Sequence, residues 1–569
     1  MSEPPGFSGD PDPFTAEIIQ LSLTAITDEM FSSMARAAMS SVIYEVLDFG
    51  VAITDAQGEL ASAGAGIPSF VGMLDPAVKA VIGKFGGDVR QGDIFVSNDP
   101  YNGGVSHIND VSLTMPVFHR GHLIAWTASK GHWLDLGGMS PGSLSPSATE
   151  LFQEGLILPD VRLFDAGAAV QPVFDIIRAN SRLPEQCIGD LWAGVSALRT
   201  GEQRLLELCR RYGAGQVRHA IRRYLQYGEQ VSRSGLNELP KGRFDAEDRM
   251  DDGRIVRAAV TVTDDTFIVD LRDNPPQDSG PVNATVHSSR VSAQAAFKGV
   301  VAPEHWANAG SFRPLRLLTT PGTLFHAEAP AAVGLYYENK IRSGDLICKA
   351  LAPYMPERMP AGHFSSICAT LIRSEDVNGA DHTFIEPEVG GWGGSALKDG
   401  ENAQFSASHG DTFNCPVEIN EARNGIEVER LTLNGEGGGA GRYRGGKGID
   451  LRYRILGRRA WLTAEYTRRI TPPWGVAGGQ DGSCNRLELL GRDGRATALP
   501  RAANLELGRG DIVRIVTANG GGFGDPLQRP RAQVLSDLKN GYITAEEAAT
   551  VYGLDTAPSD AGPSGRVPP

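Results

Sequence analysis

The hydrophobic period of this chain switches near residue 254, and that change limits the folds open to it. Residues 176–235 read as helix, with Leu, Ile and Tyr alternating with Arg-rich faces in LLELCRRYG and AIRRYLQYGEQV. From about residue 254 the period becomes two. RIVRAAVTV and TFIVDLRD flank a turn at Thr263–Thr266, which predicts a hairpin. The stretch on to about residue 525 reads as β-rich with many glycine turns, and LRYRIL with RAWLTAEY predicts another hairpin.

Before the helical stretch, Thr15 is placed to cap a long helix carrying Ile18, Ile26, Met30, Met34 and Ala38 and ending near Tyr44. FGVAITDAQGELASAG then reads as strand, turn and strand. GDIFVSNDPYNGG is a short apolar strand entering a polar, Gly-rich loop. Two more strands surround His119–Gly121, and a loop runs from His132 to Gly142. Near the other end, Thr544 and Glu547 form a capping box for a short helix. The fold class expected is α+β. A mixed α/β lobe over residues 15–250 carries the candidate site, a β-rich lobe with glycine turns covers 251–530, and C-terminal helices cover 531–554. Residues 1–14 and 555–569 are poor in apolar groups and rich in Pro, Gly and Ser, and are expected to be disordered tails.

Composition excludes several functions. The 569 residues carry a net charge of -14 without a Lys/Arg-rich run, which leaves no footprint for nucleic acid. No run of about 18 apolar residues offers a membrane span. The acidic, Pro-rich start lacks the basic flank and apolar stretch of a signal peptide. Six cysteines without a CxxC pair fit reduced thiols in a cytoplasmic protein.

The chemistry is concentrated in NDPYNGGVSHINDV and, further on, GHWLDLGG. These supply His107, Asp110 and His132. Two imidazoles and a carboxylate suit a divalent ion with open coordination positions, as catalysis requires. A hairpin could join the loop bearing His107 and Asp110 to the strand end bearing His132, since neighbouring strands lie about 5 Å apart. The spacing matches no closed zinc-finger pattern, so three unrelated loop and surface residues remain the alternative.

The blocks GDIFVSNDPYNGG, HIND, GHWLDLGG, EGLILPDVRLF, RANSRLPEQCIGDLWAGVSAL, DNPPQDSGPVNAT, EPEVGGWGG, GEGGGAGRYRGGKG and GGGFGDPLQRPRAQVLSDLKNG, in this order, resemble the hydantoinase B/5-oxoprolinase family over roughly residues 15–553. The resemblance implies a metal-carrying subunit of an ATP-dependent cyclic-amide hydrolase. It implies a divalent metal, zinc or manganese, on His107, Asp110 and His132. Asp48, in YEVLDFG, is then a further ligand or the catalytic base. A hydantoinase A-like ATPase partner in a hetero-oligomer would use the ATP, which this chain would not bind. The family's ketone carboxylases make a carboxylase subunit the alternative, and a stand-alone metal-dependent amidase is a second one.

Asp135 could orient an imidazole or simply shape a turn. Asn98 and Asp99 read as loop-shaping, Glu154 as a supporting residue at best, and Glu386, Glu388, Glu418 and Glu421 as mainly structural. Asn109 stands where many relatives have proline, and could hydrogen-bond to substrate. GRYRGGKG at Gly441–Gly448 nearly matches a P-loop, but it lacks the Ser or Thr and a following helix. GGGFGDP could form an anion-binding nest, though a plain turn fits as well. The remaining histidines, His409 among them, show no partner at ligand spacing.

Overall fold

Helix α1 (Pro13–Ala37) starts on Asp12, whose carboxylate accepts the Phe14 and Thr15 amides. The cap is therefore three residues earlier than Thr15, and Pro13 and Phe14, placed in a tail by the sequence, are helical. The computed structural model describes residues 12–554 apart from 376–378, 408, 411 and 492–493, so the rest of both expected tails lies outside the described residues. Ile19, Leu23, Ile26, Met30 and Met34 form the buried stripe of α1. The helix stops at Ala37, short of the expected end near Tyr44. Asp190, about 150 positions away, accepts the Met39 and Ser40 amides at 2.8 and 3.1 Å and holds the chain extended there. A single turn, α2 (Ser41–Tyr44), follows.

Seven strands make the first sheet: β1 (Phe49–Asp55), β2 (Leu60–Gly66), β3 (Ile94–Ser97), β4 (Asp110–His119), β5 (His122–His132), β6 (Val161–Asp165) and β7 (Ala168–Ala169). Their order is β2-β1-β5-β4-β3-β6-β7, every pairing antiparallel. The strand period sorts side chains between two layers. Val51, Ile53, Val111 and Leu113 pack with α1 and with α5 (Pro184–Tyr212). Ala52, Phe95, Trp126 and Ala128 pack with Leu74, Val78 and Val81 of α3 (Pro68–Phe85). The predicted helical stretch is α4 (Gln171–Asn180), α5 and α6 (Ala214–Asn237).

A second sheet holds β8 (Gly242–Arg249), β9 (Ile255–Val262), β10 (Phe267–Asp270) and β11 (Leu315–Leu318), in the order β11-β10-β9-β8. The hairpin expected at Thr263–Thr266 is β9–β10. Residues 250 and 251 fall inside the β8–β9 hairpin. The stretch read as β-rich also holds helices, among them α7 (Val286–Val301) and α8 (Tyr336–Leu351), which pack on each other and on this sheet.

LRYRIL and RAWLTAEY do form strands, Ile449–Ile455 and Arg459–Glu465, but they do not pair with each other. The first lies between Ile426–Leu433 and Ile512–Val516, the second between Thr370–Glu375 and Arg501–Gly508, in separate sheets. The capping box at Thr544 and Glu547 opens the helix Ala545–Thr550 as expected.

The glycine clusters interlock backbone against backbone. A Cβ on Gly446 would lie 1.8 Å from the Glu401 carbonyl oxygen, and one on Gly520 would lie 2.1 Å from that of Trp392. Only glycine permits such an approach. GRYRGGKG sits in this layer with its amides already used: Gly445 donates to Gly439 O, Gly446 to Trp392 O and Gly448 to Asn519 Oδ1. They are not free to cradle a phosphate. The GGGFGDP amides are likewise committed, with Gly520 donating to Gly446 O, Gly521 to Gly362 O and Gly522 to Gln480 O.

Candidate metal centre

Asp110 is the first residue of β4 and His132 the last of β5, and the two are direct partners in the register. Both side chains fall on the α3 side of the sheet, with Lys130. His107 lies one turn earlier, its carbonyl accepting the Asp110 amide at 3.1 Å. Asp110 Oδ1 is thereby 3.1 Å from His107 Nε2 and 3.5 Å from His132 Nδ1. One ligand atom from each residue lies within 4.8 Å of the others, and all three are buried.

The second oxygen of Asp110 accepts from Ser106 and lies 3.4 Å from the Lys130 ammonium, which also donates to Ser106 Oγ at 2.8 Å. Burial works against the charged carboxylate, but His107 and Lys130 outweigh it and hold Asp110 well below its usual range. Lys130 was missed in the sequence, although its spacing of two from His132 places both on one strand face.

His107 is fixed from behind. Its Nδ1 is 2.9 Å from the Gly334 carbonyl, which leaves Nε2 facing Asp110. Glu154 accepts the Val333 and Gly334 amides at 2.9 and 2.6 Å, so it anchors the peptide that orients the imidazole. Burial lifts its pKa from 4.5 to about 8, against the pull of those two amides. The folded chain thus keeps a proton that the unfolded chain releases. The contribution is intact below about pH 4.5 and is lost as pH rises to about 8. Glu154→Gln is expected to flatten this slope by up to about 1.4 kcal/mol per pH unit. Denaturant unfolding of both proteins at about pH 5, 6, 7 and 8 reads it, and an unchanged slope would mean that Glu154 is ionised in the fold.

Asp48 precedes β1 and its carbonyl accepts the His132 amide at 3.1 Å. Its side chain lines the same small cavity as His107, Asp110 and His132, together with Phe70, Tyr336, Tyr337 and His409. Burial raises its pKa to about 7, with His132 pulling the other way. Asp48 Oδ1 and His132 Nε2 are buried and make no hydrogen bond among the described residues. Three mixed N/O donors with two orphaned polar atoms beside them are what a divalent cation would satisfy, so the residues fit such an ion.

Other candidates are placed elsewhere. Asp135 accepts the Gly137, Gly142 and Arg182 amides and pairs with the Arg182 guanidinium; it shapes a turn and does not hold an imidazole. Asn109 donates to the Trp133 and Gly142 carbonyls at 3.0 Å, so it ties two loops together and its amide nitrogen is not free for substrate. Asn98 bridges Ile108, Leu156 and Leu158, and Asp99 makes an Asx turn onto Tyr101 and Asn102. Glu386 is buried under Tyr453, Asn420 and the Cys415 amide. His409, read in the sequence as partnerless at ligand spacing, is in the cavity wall.

The Hydantoinase B/oxoprolinase profile matches residues 12–526. The chain belongs to that family. Among hydantoinase B relatives, the putative B component of the D-/L-hydantoinase of Pseudomonas sp. (strain NS671) is 30% identical, the alignment covering 96% of each chain. The beta component of the caprolactamase of Pseudomonas jessenii is 31% identical over 95% of this chain and 96% of its own. The crystal structure of the ATP-dependent caprolactamase from the same organism superposes with a TM-score of 0.90 at 29% identity, covering 96% of both chains. Among the described residues, no helix of this hydantoinase B family member is long and apolar enough to cross a membrane.

Proposed function

We propose that this chain is the metal-carrying subunit of an ATP-dependent cyclic-amide hydrolase, acting with a separate ATP-using chain of the hydantoinase A type. The observation that carries the reading is the convergence of His107, Asp110 and His132 in one buried cavity, with an unpaired Asp48 oxygen beside them. The mixed N/O donors suit zinc or manganese. A bound ion would polarise the carbonyl of a cyclic amide and stabilise the negative charge that develops on its oxygen.

The chain's own residues then have separate tasks. Asp48 Oδ1 takes a proton from the attacking water, its buried carboxyl being poised near neutrality. Lys130 and Ser106 keep Asp110 turned toward the two imidazoles. Phe70, Tyr336 and Tyr337 exclude bulk water from the cavity. The caprolactamase and hydantoinase relatives are named as components of multi-chain enzymes, which supports a partner chain. The committed amides of the glycine layer support placing ATP on that partner. Six free cysteines agree with a cytoplasmic setting.

The test co-purifies the chain with its ATPase partner and measures divalent metal per chain and ring opening of hydantoins and lactams, with and without ATP. One metal per chain and ATP-dependent turnover are expected. Ring opening by this chain alone without ATP would remove the two-chain reading, and absence of metal would remove the centre.

A further inference from the structure

His409 comes from the far half of the sequence, yet its loop is fastened to the first lobe. The Phe413 amide donates to the Val46 carbonyl at 3.1 Å, two residues before Asp48. Gly410, at φ +54°, lies against Pro68 at the start of α3, where an added Cβ would come within 2.5 Å of the proline ring. On its other side the loop is held by Trp392, whose indole donates to the Phe405 carbonyl at 2.7 Å, and by the His409 amide donating to Ser406 O. These contacts press His409 into the cavity that His107, Asp110 and His132 line. The side chain is 8% exposed, and its Nε2 makes no hydrogen bond among the described residues. A buried polar atom is rarely left unsatisfied unless a ligand completes it.

Resting on the metal-centre reading above, we propose that His409 is a substrate-contacting residue whose Nε2–H donates a hydrogen bond to the oxygen of a carbonyl-type ligand at the ion. Burial, with Lys340 and His132 nearby, lowers the pKa of His409 to about 3 against the opposing effect of Asp110. The ring is therefore neutral at working pH and donates without adding a second cation beside the metal. Its contribution goes to an oxygen that gains negative charge, and it leaves the ion itself to the other three residues.

The test uses the full-length chain loaded with cobalt(II), with acetohydroxamate as a probe that carries a carbonyl-type oxygen to the metal. Cobalt per chain, the melting temperature and the visible spectrum during titration are read for wild type, His409→Ala and His409→Gln. His409→Ala is expected to hold as much cobalt as wild type and to bind acetohydroxamate roughly tenfold more weakly, the value of one hydrogen bond. His409→Gln, which offers an N–H near the same place, is expected to recover part of that loss. Wild-type affinity in His409→Ala would overturn the proposal, and so would loss of cobalt, which would make His409 a ligand. A wild-type chain that takes up no cobalt would instead remove the metal reading on which the proposal rests.

Discussion

Asp110→Asn is expected to empty the centre and to destabilise the fold at once. The carboxylate lies between His107 and His132, and the same group is the counter-charge of the buried Lys130. Losing an outer support of a metal ligand costs about 10–100-fold in affinity, so losing this ligand should exceed about 100-fold. The metal's share of transition-state stabilisation is several kcal/mol, which corresponds to a fall of about 10³-fold or more in turnover. Without Asp110 the Lys130 ammonium is left buried against Ser106 and Met73, and breaking such a pair costs about 3–5 kcal/mol. Lys130→Met makes the complementary case. It leaves Asp110 uncompensated in the metal-free chain, and a divalent ion should restore stability to it more than to wild type. Metal analysis, ATP-coupled turnover and denaturant unfolding with and without metal check all three statements. Unchanged metal content in Asp110→Asn would dismiss this centre.

Arg468→Met is expected to destabilise the protein by about 3–5 kcal/mol without touching the cavity. Arg468 is fully buried and pairs with Asp345 and, at 3.1 Å, with Asp248, which Arg342 also holds at 2.6 Å. Trp474 Nε1 donates to Asp345 at 3.1 Å. Lys349, partly exposed, lies 3.6 Å from Asp248 at the edge of the group, which ties β8 and α8 to the loop after Arg459–Glu465. Removing Arg468 leaves the buried Asp345 without its guanidinium partner. The double variant Arg468→Met/Asp345→Asn removes the charge of both partners of that pair and should regain about half the loss, because neutralised buried pairs are often tolerated. Urea unfolding of the single and double variants measures this, and a single-variant loss below about 1 kcal/mol would contradict it.

The sequence exposed what is local. The period of α4 to α6 and the β1–β2 and β4–β5 hairpins follow from neighbouring residues, whereas Asp110, read as part of a loop, is the first residue of β4 and faces His132. What stayed hidden depends on distant partners. Helix α8 carries Glu338, Lys340, Arg342 and Asp345 inside the protein, so no apolar stripe marks it. The break after Ala37 is made by Asp190, which no reading of the first fifty residues could supply. Ile449–Ile455 and Arg459–Glu465 have strand period, but period does not name the partner strand. His409 carries no local signal, because His107, Asp110 and His132, with which it shares the cavity, lie hundreds of residues earlier.

The interlocked glycines set the order in which the chain can be finished. Gly446 needs Glu401 and Gly520 needs Trp392 at backbone distance, and Gly521 and Gly522 hydrogen-bond back to Gly362 and Gln480. These contacts join points up to about 160 residues apart, so their loop-closure cost is met late in folding. On the ribosome, the second half of the molecule must therefore wait for its last strand and the glycine run behind it, with earlier strands left open in the meantime. A truncation just before Gly520 would keep every residue of the cavity and still leave its distal wall, the loop of His409, without the layer that supports it.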